Sequence, residues 1–578
     1  MTKHKTSPAK RLRRFNAALL CFASLGAYGV LATTAVAAPP STQSLPGAVQ
    51  PGRDRPVPQP PEQQPDYDFS IQAPHRSAVP RAADEIHFKL TDIRIVGAVT
   101  LPANSFRPLY QDLLGKDVTL SNIYDIADAI ERAYRAAGYP LVRAYVPPQH
   151  VKDGVFTINV VEGFVSAVSV EGTDAKTADQ IKGYLQNVQN EKPLQLATIE
   201  RGLLLSNDLP GVTATGVLRP APDTPGASDL VVTADQPKFS GGLAADNRGS
   251  RFSGIWTISG DAEANSLLFG GDQLMLDGTI SPDSLEQAGG DVHYRAPIGD
   301  DGLMGTLFGR YTHGEPGSTL QAFNVLTDSY AFGPRLSYPL LRTREQTVSL
   351  DGGLTIQDAI VNFGTPSVKL SHDKWRVFDA DVNWLDNDLL GGSLGASVDL
   401  AKGLDILDAT PDNSPQLSRV GGTTDFTKIT FNARYTHPLP DDFSYAFQLQ
   451  SQLSFDRLIT GEQIAFGGNM IGRGYDPGAI TGDDGIGASM ELRYTRHIGD
   501  SFLQMVQPFV FFDTAGTWYR DSIGLPHQSI DSTGLGIRGW FDDNITGDVE
   551  LDRTLRAVPG SDAGREATKV LVDLAIRF

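Results

Sequence analysis

Cysteine is almost absent from this chain. The only one among 578 residues is Cys21, which follows Leu20 inside an apolar run, whereas a lipoprotein acceptor needs a small residue before it. Disulfides and thiolate chemistry are therefore excluded from the chain beyond that run. Long hydrophobic stretches are also missing: after the N-terminal region nothing approaches the roughly 18 consecutive apolar residues of a membrane-spanning helix. The ten histidines offer no close pair at metal-ligand spacing, so no metal and no cofactor is expected. No nucleotide-binding motif is present. Gly391-Gly392-Ser393-Leu394-Gly395 fits a nucleophile elbow on paper, but Leu394, Ala396, Val398 and Leu400 alternate as in a strand, which places Ser393 away from a strand-to-helix turn. An enzyme is disfavoured.

What is present points outward from the cell. Lys10-Arg11-Leu12-Arg13-Arg14 precedes an apolar run from Ala17 to Ala32 and the small-residue pattern Ala35-Val36-Ala37, the layout of a cleaved export signal. Residues 1–37 carry six basic and no acidic side chains, so their removal takes the formal charge from −19 to −25. Nucleic acid is excluded as a partner by that sign. At the other end, Val570, Val572, Leu574, Ile576 and Phe578 fall on one face of a strand, and Lys569, Asp573 and Arg577 on the other. An apolar row opposite a charged one suits a wall with lipid outside and water inside. With no candidate helix, a closed barrel is the remaining way to satisfy every backbone hydrogen bond in a bilayer.

Between these ends the composition changes four times. Residues 1–37 read as a signal peptide and 38–85 as a Pro-rich linker, extended and solvated, since eleven prolines from Pro39 to Pro80 leave no stretch longer than eight residues uninterrupted. That spacing also argues against a helix in this segment. Residues 86–163 form a first globular module: a strand over Leu90 to Val96, and a helix capped by Ser121 with Ile123, Ile126, Ala127, Ile130, Tyr134 and Ala137 at helical spacing, ended by Gly138. Strands over Val142 to Val146 and Val155 to Val161 follow. Residues 164–236 repeat the theme, giving two α+β modules of β-α-α-β-β order. From 237 to 578 helical periodicity disappears, and alternating strands joined by Gly, Asp and Asn turns imply an all-β transmembrane barrel. Its 342 residues supply about 16 antiparallel strands at roughly 21 residues for each strand and connection.

A long Gly-rich loop, Ile471-Gly472-Arg473-Gly474-Tyr475-Asp476-Pro477-Gly478, interrupts the barrel pattern before the alternating strand Gly487 to Tyr494. Its glycines permit tight turns and leave Arg473 as a projecting guanidinium, whose natural partner is a carboxylate. Asp513 is a candidate, sharing a strand face with Phe509 and Phe511. The alternative is a solvated loop arginine and a turn aspartate.

Here the chain resembles the two-partner secretion transporters, or haemolysin secretion/activation proteins, of the outer-membrane assembly-factor superfamily. Arg473-Gly474-Tyr475 matches that family's Arg-Gly-Tyr/Phe loop motif, and Phe511-Phe512-Asp513 before Gly516 and Trp518 resembles its Phe-x-Asp-x-Gly strand motif. Asp246-Asn247-Arg248-Gly249-Ser250-Arg251 and the span from Pro147-Pro148-Gln149 to Val161-Glu162-Gly163 also match. Two departures are evident: Thr514-Ala515 replaces a single spacer, so Asp513 carries the motif more securely than Gly516, and the prolines from Pro39 to Pro80 argue against the pore-plugging N-terminal helix that this family often has.

The resemblance implies periplasmic POTRA modules that recognise an unfolded exported partner protein, and an outer-membrane barrel through which it passes. Arg473 would meet Asp513 inside the lumen, and Phe578 would be read by the barrel assembly machinery. One chain per barrel is expected, in contact with outer-membrane lipid. Two rivals are a barrel-assembly insertase, whose relatives carry more POTRA modules than about 150 residues allow, and a diffusion porin, which needs no periplasmic modules.

Overall fold

A computed structural model of the chain describes residues 45–53, 69–71, 80, 82–221, 224–282, 286–499, 502–520, 527–542, 544–558 and 567–578. The expected signal peptide, with Cys21, lies outside the described residues, as does most of the expected linker.

The first described strand, β1 (Phe69–Ile71), belongs to that linker. In the first module β2 (His87–Lys89) pairs with β4 (Asp117–Thr119), while β3 (Asp92–Val96) runs parallel to β6 (Val155–Val161) and β5 (Arg143–Tyr145) antiparallel to it. Helix α1 spans Leu120–Ala136 and covers this sheet with Ile123, Ile126, Ala127, Ile130 and Tyr134. Its cap is Thr119 rather than the expected Ser121. The Asn122 side chain returns to the Thr119 N–H at 3.0 Å, and this reciprocal box fixes the start two residues earlier. The helix ends where expected, with Gly138 at φ +89°. The first helix of the β-α-α-β-β order is a 3₁₀ segment here, Ala103–Leu109, because Pro108 removes an N–H inside it.

The second module repeats the topology. β7 (Phe164–Glu171) runs parallel to β9 (Ala227–Asp235), which is antiparallel to β8 (Thr213–Pro220), and α2 (Ala175–Tyr184), α3 (Gln186–Asn190) and α4 (Leu196–Asn207) lie between β7 and β8 in the chain. Ile181, Leu185, Val188, Leu194, Ile199 and Leu203 are wholly buried in its core. Each such side chain contributes about 2 kcal/mol relative to exposure.

Beyond the second module the chain closes into an antiparallel barrel of 16 strands, from Phe239–Asp246 to Thr568–Arg577, with Arg496–His497 continuing the twelfth. Consecutive strands are neighbours throughout; the hairpin expected around Gly299–Gly302, for example, pairs Ile298 with Leu303. Ser393 lies in the ninth strand, Gly392–Gly403, opposite Thr436. Side chains such as Leu243, Leu276, Leu307, Phe332, Val510 and Leu574 are exposed on the outer wall, whereas Asp379, Asp399, Asp513 and Asp552 are buried. This division is what a lipid-facing band and a polar interior require.

The seam between first and last strands is short. It has five register pairs, Gly242 with Arg577 through Asp246 with Asp573, against eight between the first and second strands. Two residues lengthen it. Phe578 exchanges both backbone bonds with Gly241 at 3.0 Å, and the Asn247 amide mimics a peptide, donating to Val570 O at 3.0 Å and accepting from Val572 N at 2.7 Å. Phe578 is also highly exposed, completing the apolar row with Val570, Leu574 and Ile576. Phe578→Ala is therefore expected to lower assembled protein in the outer membrane severalfold, read by heat-modifiable gel mobility. Unchanged assembly across growth temperatures would remove the terminal residue from the seam's determinants.

One expectation is corrected. The linker is not wholly a solvated spacer: its Leu45 and Val49 are buried with Phe252, Val325 and Val361 of the barrel. Gln357 Nε2 donates to Gly52 O at 2.9 Å, and Gly52 sits at φ +87°, where a Cβ would strike Trp375. Apolar residues spaced among prolines have found a lumen rather than solvent. Among the described residues of this segment, the helical turn is the three-residue 3₁₀ piece Gly47–Val49.

Candidate functional site in the barrel lumen

The connection from the eleventh strand (Phe443–Ser454) to the twelfth (Asp484–Tyr494) folds into the lumen instead of projecting outward. A small hairpin, Ile464–Phe466 with Ile480–Gly482, stiffens it, and Ile464, Phe466, Ile471, Tyr475 and Ile480 pack on Ala515 and Ile530 of the wall. Gly472, at φ +86°, makes the turn that presents Arg473. Gly474 suits the close approach, since a Cβ there would lie 3.1 Å from Ser532 Cβ and 3.2 Å from the Arg553 carbonyl carbon, tighter than ordinary contact.

Arg473 and Asp513 meet as the sequence suggested. Asp513 Oδ2 accepts from the backbone N–H of Gly472 and Arg473 at 3.1 and 3.0 Å and from Arg473 Nε at 3.2 Å, and Oδ1 accepts from Nη2 at 3.1 Å. Both side chains are essentially buried, at 6% and 0% exposure, so this is a desolvated pair held by several charge-assisted bonds. The Arg473 guanidinium also lies over the Phe511 ring, 3.4 Å from its centroid. Tyr475 anchors the far side, its hydroxyl within 2.9 and 2.6 Å of the Asp531 and Arg556 carbonyl oxygens.

Other partners were not singled out from the sequence. Arg473 Nη1 donates to Glu491 Oε2 at 2.8 Å and Nη2 to Ser489 Oγ at 3.2 Å. Glu491 is shared with Arg493 and Arg538, at 2.6 and 2.7 Å. Glu550 lies 4.0 Å from Arg473 and 3.3 Å from Arg248, which belongs to the Asp246–Arg251 motif and also pairs with Asp548 at 2.9 Å. The available signal was the polar period-two row Ser489, Glu491, Arg493 in the alternating strand after the loop. Gly516 does not join the site. In the thirteenth strand (Leu503–Trp518) Phe509, Phe511, Asp513, Ala515 and Thr517 face inward, so Gly516 shares the outer face with Phe512 and Trp518, and Ala515 meets the loop. Phe578 lies at the seam, away from this cluster.

The periplasmic mouth has its own contacts. Asp208, after α4, takes a bidentate pair of bonds from Arg342 Nε and Nη2, both 2.8 Å. Arg201 Nη2 donates to Pro339 O at 3.2 Å, Gln180 to Gly299 O at 2.9 Å and Lys176 to Leu268 O at 3.1 Å, so the second module docks on two inter-strand turns and the end of the sixth strand, Leu326–Arg342. In the first module Glu162 accepts from Val99 and Thr100 N–H at 2.9 and 2.8 Å and from the Tyr134 hydroxyl at 2.7 Å. Burial pushes its carboxyl up, but these bonds outweigh burial and hold it below the ordinary glutamate range.

Residues 226–539 match the family model for the haemolysin secretion/activation protein ShlB/FhaC/HecB, and 88–163 match the ShlB-type POTRA domain. The chain belongs to that family. Its localisation is accordingly the outer membrane, with the POTRA domains in the periplasm. Among curated proteins it is 23% identical over 500 residues to the heme/hemopexin transporter protein HuxB of Haemophilus influenzae, covering 82% of this chain and 85% of that one. It is 24% identical over 413 residues to the outer membrane transporter CdiB of Escherichia coli, covering 69% and 67%. The solved structure of E. coli CdiB superposes with TM-score 0.68 at 21% identity, over 88% of this chain and 93% of that one. That of Acinetobacter baumannii CdiB gives 0.59 at 16%, over 90% and 94%. Members of this family are transporters, and this chain is an outer-membrane transporter of two-partner secretion.

Proposed function

We propose that the chain recognises one large, unfolded exported partner with its periplasmic modules and passes it through the barrel, acting as a single copy without cofactor or catalysis. Residues 38–85 connect the mature N-terminus to the modules, 86–163 and 164–236 receive the partner, and 237–578 form the passage. The observation that carries this reading is a two-module periplasmic arm docked by Asp208–Arg342 under the mouth of a barrel whose lumen holds the Arg473 loop. Arg473, Gly474 and Tyr475 set the loop against the wall, with Phe511 and Asp513 as its receptor. Gly516 supports the outer face and Phe578 the assembly step, in which the barrel assembly machinery is the partner. Folding of the exported chain outside the cell supplies the driving force.

The test is deletion of this gene with export of a large candidate partner, sought first in the adjacent reading frames, as the readout. Export is expected to stop, the product remaining in the periplasm or being degraded there, and to return on complementation. Normal export from the deletion strain would overturn the reading.

A further inference from the structure

Between the second barrel strand (Thr257–Asn265) and the third (Gln273–Ile280), the periplasmic turn carries three successive apolar side chains, Leu267, Leu268 and Phe269. All three are exposed, Leu268 by 64% and Phe269 by 59%. A turn between strands is ordinarily built from Gly, Pro, Asn, Asp and Ser. This one is held in shape by a buried carboxylate. Asp272 accepts from the backbone N–H of Leu267, Leu268 and Phe269 at 2.6, 2.9 and 2.9 Å, and from the Tyr294 hydroxyl at 2.6 Å. With its amides committed to Asp272, the turn presents the three side chains outward in a fixed arrangement.

The two faces of the turn meet different surroundings. Its back is locked to the second module at the start of α2: Thr177 Oγ1 lies 2.7 Å from Ser266 Oγ, Lys176 Nζ donates to Leu268 O at 3.1 Å, and a Cβ on Gly270 would overlap the Lys176 carbonyl oxygen. Its front follows the outer wall. Tyr294 belongs to the fourth strand (Gln287–Ile298), opposite Leu274 and on the same face as the exposed Val292 and Ile298, so its hydroxyl reaches Asp272 from the lipid side. Phe239, which pairs with Ala264 at the base of the turn, carries the exposed row of Leu243 down to Leu267–Phe269. Two exposed lysines flank the patch: Lys176, and Lys238, whose carbonyl accepts from Asn265 N at 2.9 Å. Apolar side chains at a membrane edge, bordered by lysines, are the pattern of an interfacial anchor.

We propose that Leu267, Leu268 and Phe269 form a membrane foot, buried in the periplasmic leaflet of the outer membrane, with Lys176 and Lys238 at its phosphate groups. The occupant is phospholipid, because the patch is continuous with a wall that already faces lipid. Lys176 keeps donors for a phosphate beside its bond to Leu268 O, since an ammonium has three. The consequence is mechanical. Helix α2 is bonded to the back of a turn whose front is held in the bilayer, so the second module is fixed at the membrane surface by lipid as well as by Asp208–Arg342. Insertion of the foot depends on the outer-membrane location alone and not on the identity of any exported chain.

Depth quenching tests it. The mature chain is expected to contain no other cysteine, so Leu268→Cys takes a single environment-sensitive fluorophore, and Val99→Cys, exposed on the first module, serves as the control. In vesicles of phosphatidylethanolamine and phosphatidylglycerol carrying an acyl-chain nitroxide, emission at residue 268 is expected to be blue-shifted and quenched severalfold more than at residue 99. Adding Leu267→Asp and Phe269→Asp should return quenching to the control value, with heat-modifiable barrel retained, and should raise amide hydrogen exchange across Ala175–Tyr184 severalfold. Quenching at residue 268 no greater than at residue 99 would overturn the foot and leave the patch to a protein surface. Loss of quenching in the aspartate variant with unchanged exchange would overturn its hold on α2.

Discussion

Asp513→Ala is expected to reduce export roughly tenfold or more while the amount of folded barrel in the membrane stays near the parent level. Breaking a buried pair costs on the order of 3–5 kcal/mol because the surviving charge is left uncompensated. Here the loss extends to the backbone N–H groups of Gly472 and Arg473, which share Asp513 Oδ2. The loop's attachment therefore depends on this carboxylate, whereas the barrel's closure depends on inter-strand bonds elsewhere. Arg473→Ala should cause a similar loss. It leaves Asp513 stripped of two side-chain donors, but Glu491 keeps Arg493 and Arg538. The double mutant should be little worse than either single, as coupled sites require. The measurement is a double-mutant cycle on partner export, normalised to transporter in the outer membrane. Fully additive losses, or a silent Arg473→Ala, would reduce the loop to an inert filling of the lumen.

Why this pair was legible in the sequence, and its surroundings were not, follows from the strand period. Alternation is local, so Phe509, Phe511 and Asp513 could be placed on one face from residue types alone. A Gly-rich break containing one arginine announces a loop that must find a carboxylate. What alternation cannot give is the stagger between strands. Ser489 opposes Asp513 and Glu491 opposes Phe511 only because of the register of the twelfth strand against the thirteenth. The link to Glu550 and Arg248 needs, in addition, closure of a wall whose ends are more than 300 residues apart in the chain. The same period resolves the irregular motif: two spacers instead of one move Gly516 to the outer face and bring Ala515 inward. The linker was misjudged because proline spacing excludes a helix without excluding burial. Leu45 and Gly52 enter the lumen as irregular backbone and Val49 at the end of a 3₁₀ turn, while Phe69–Ile71 pairs as a strand on the sheet of the second module.

Deleting residues 86–236 should abolish export while leaving an inserted barrel. Every ladder of the transmembrane wall lies within Phe239–Arg577, with Gly241 and Phe578 completing the seam, so membrane insertion does not draw on the modules. What the deletion removes is the proposed receiving surface, the two periplasmic modules, together with the Asp208 carboxylate that holds the arm to Arg342. Export without this region would require the unfolded partner to find the lumen unaided. Loss of association at the mouth removes the local concentration that tethering supplies, commonly a factor of about 10²–10⁴. The expected result is no detectable extracellular partner, with heat-modifiable barrel retained in the outer membrane. Normal export by the truncated protein would show that recognition resides in the barrel itself, whereas loss of the barrel would show that the arm is needed to assemble the wall as well as to feed it.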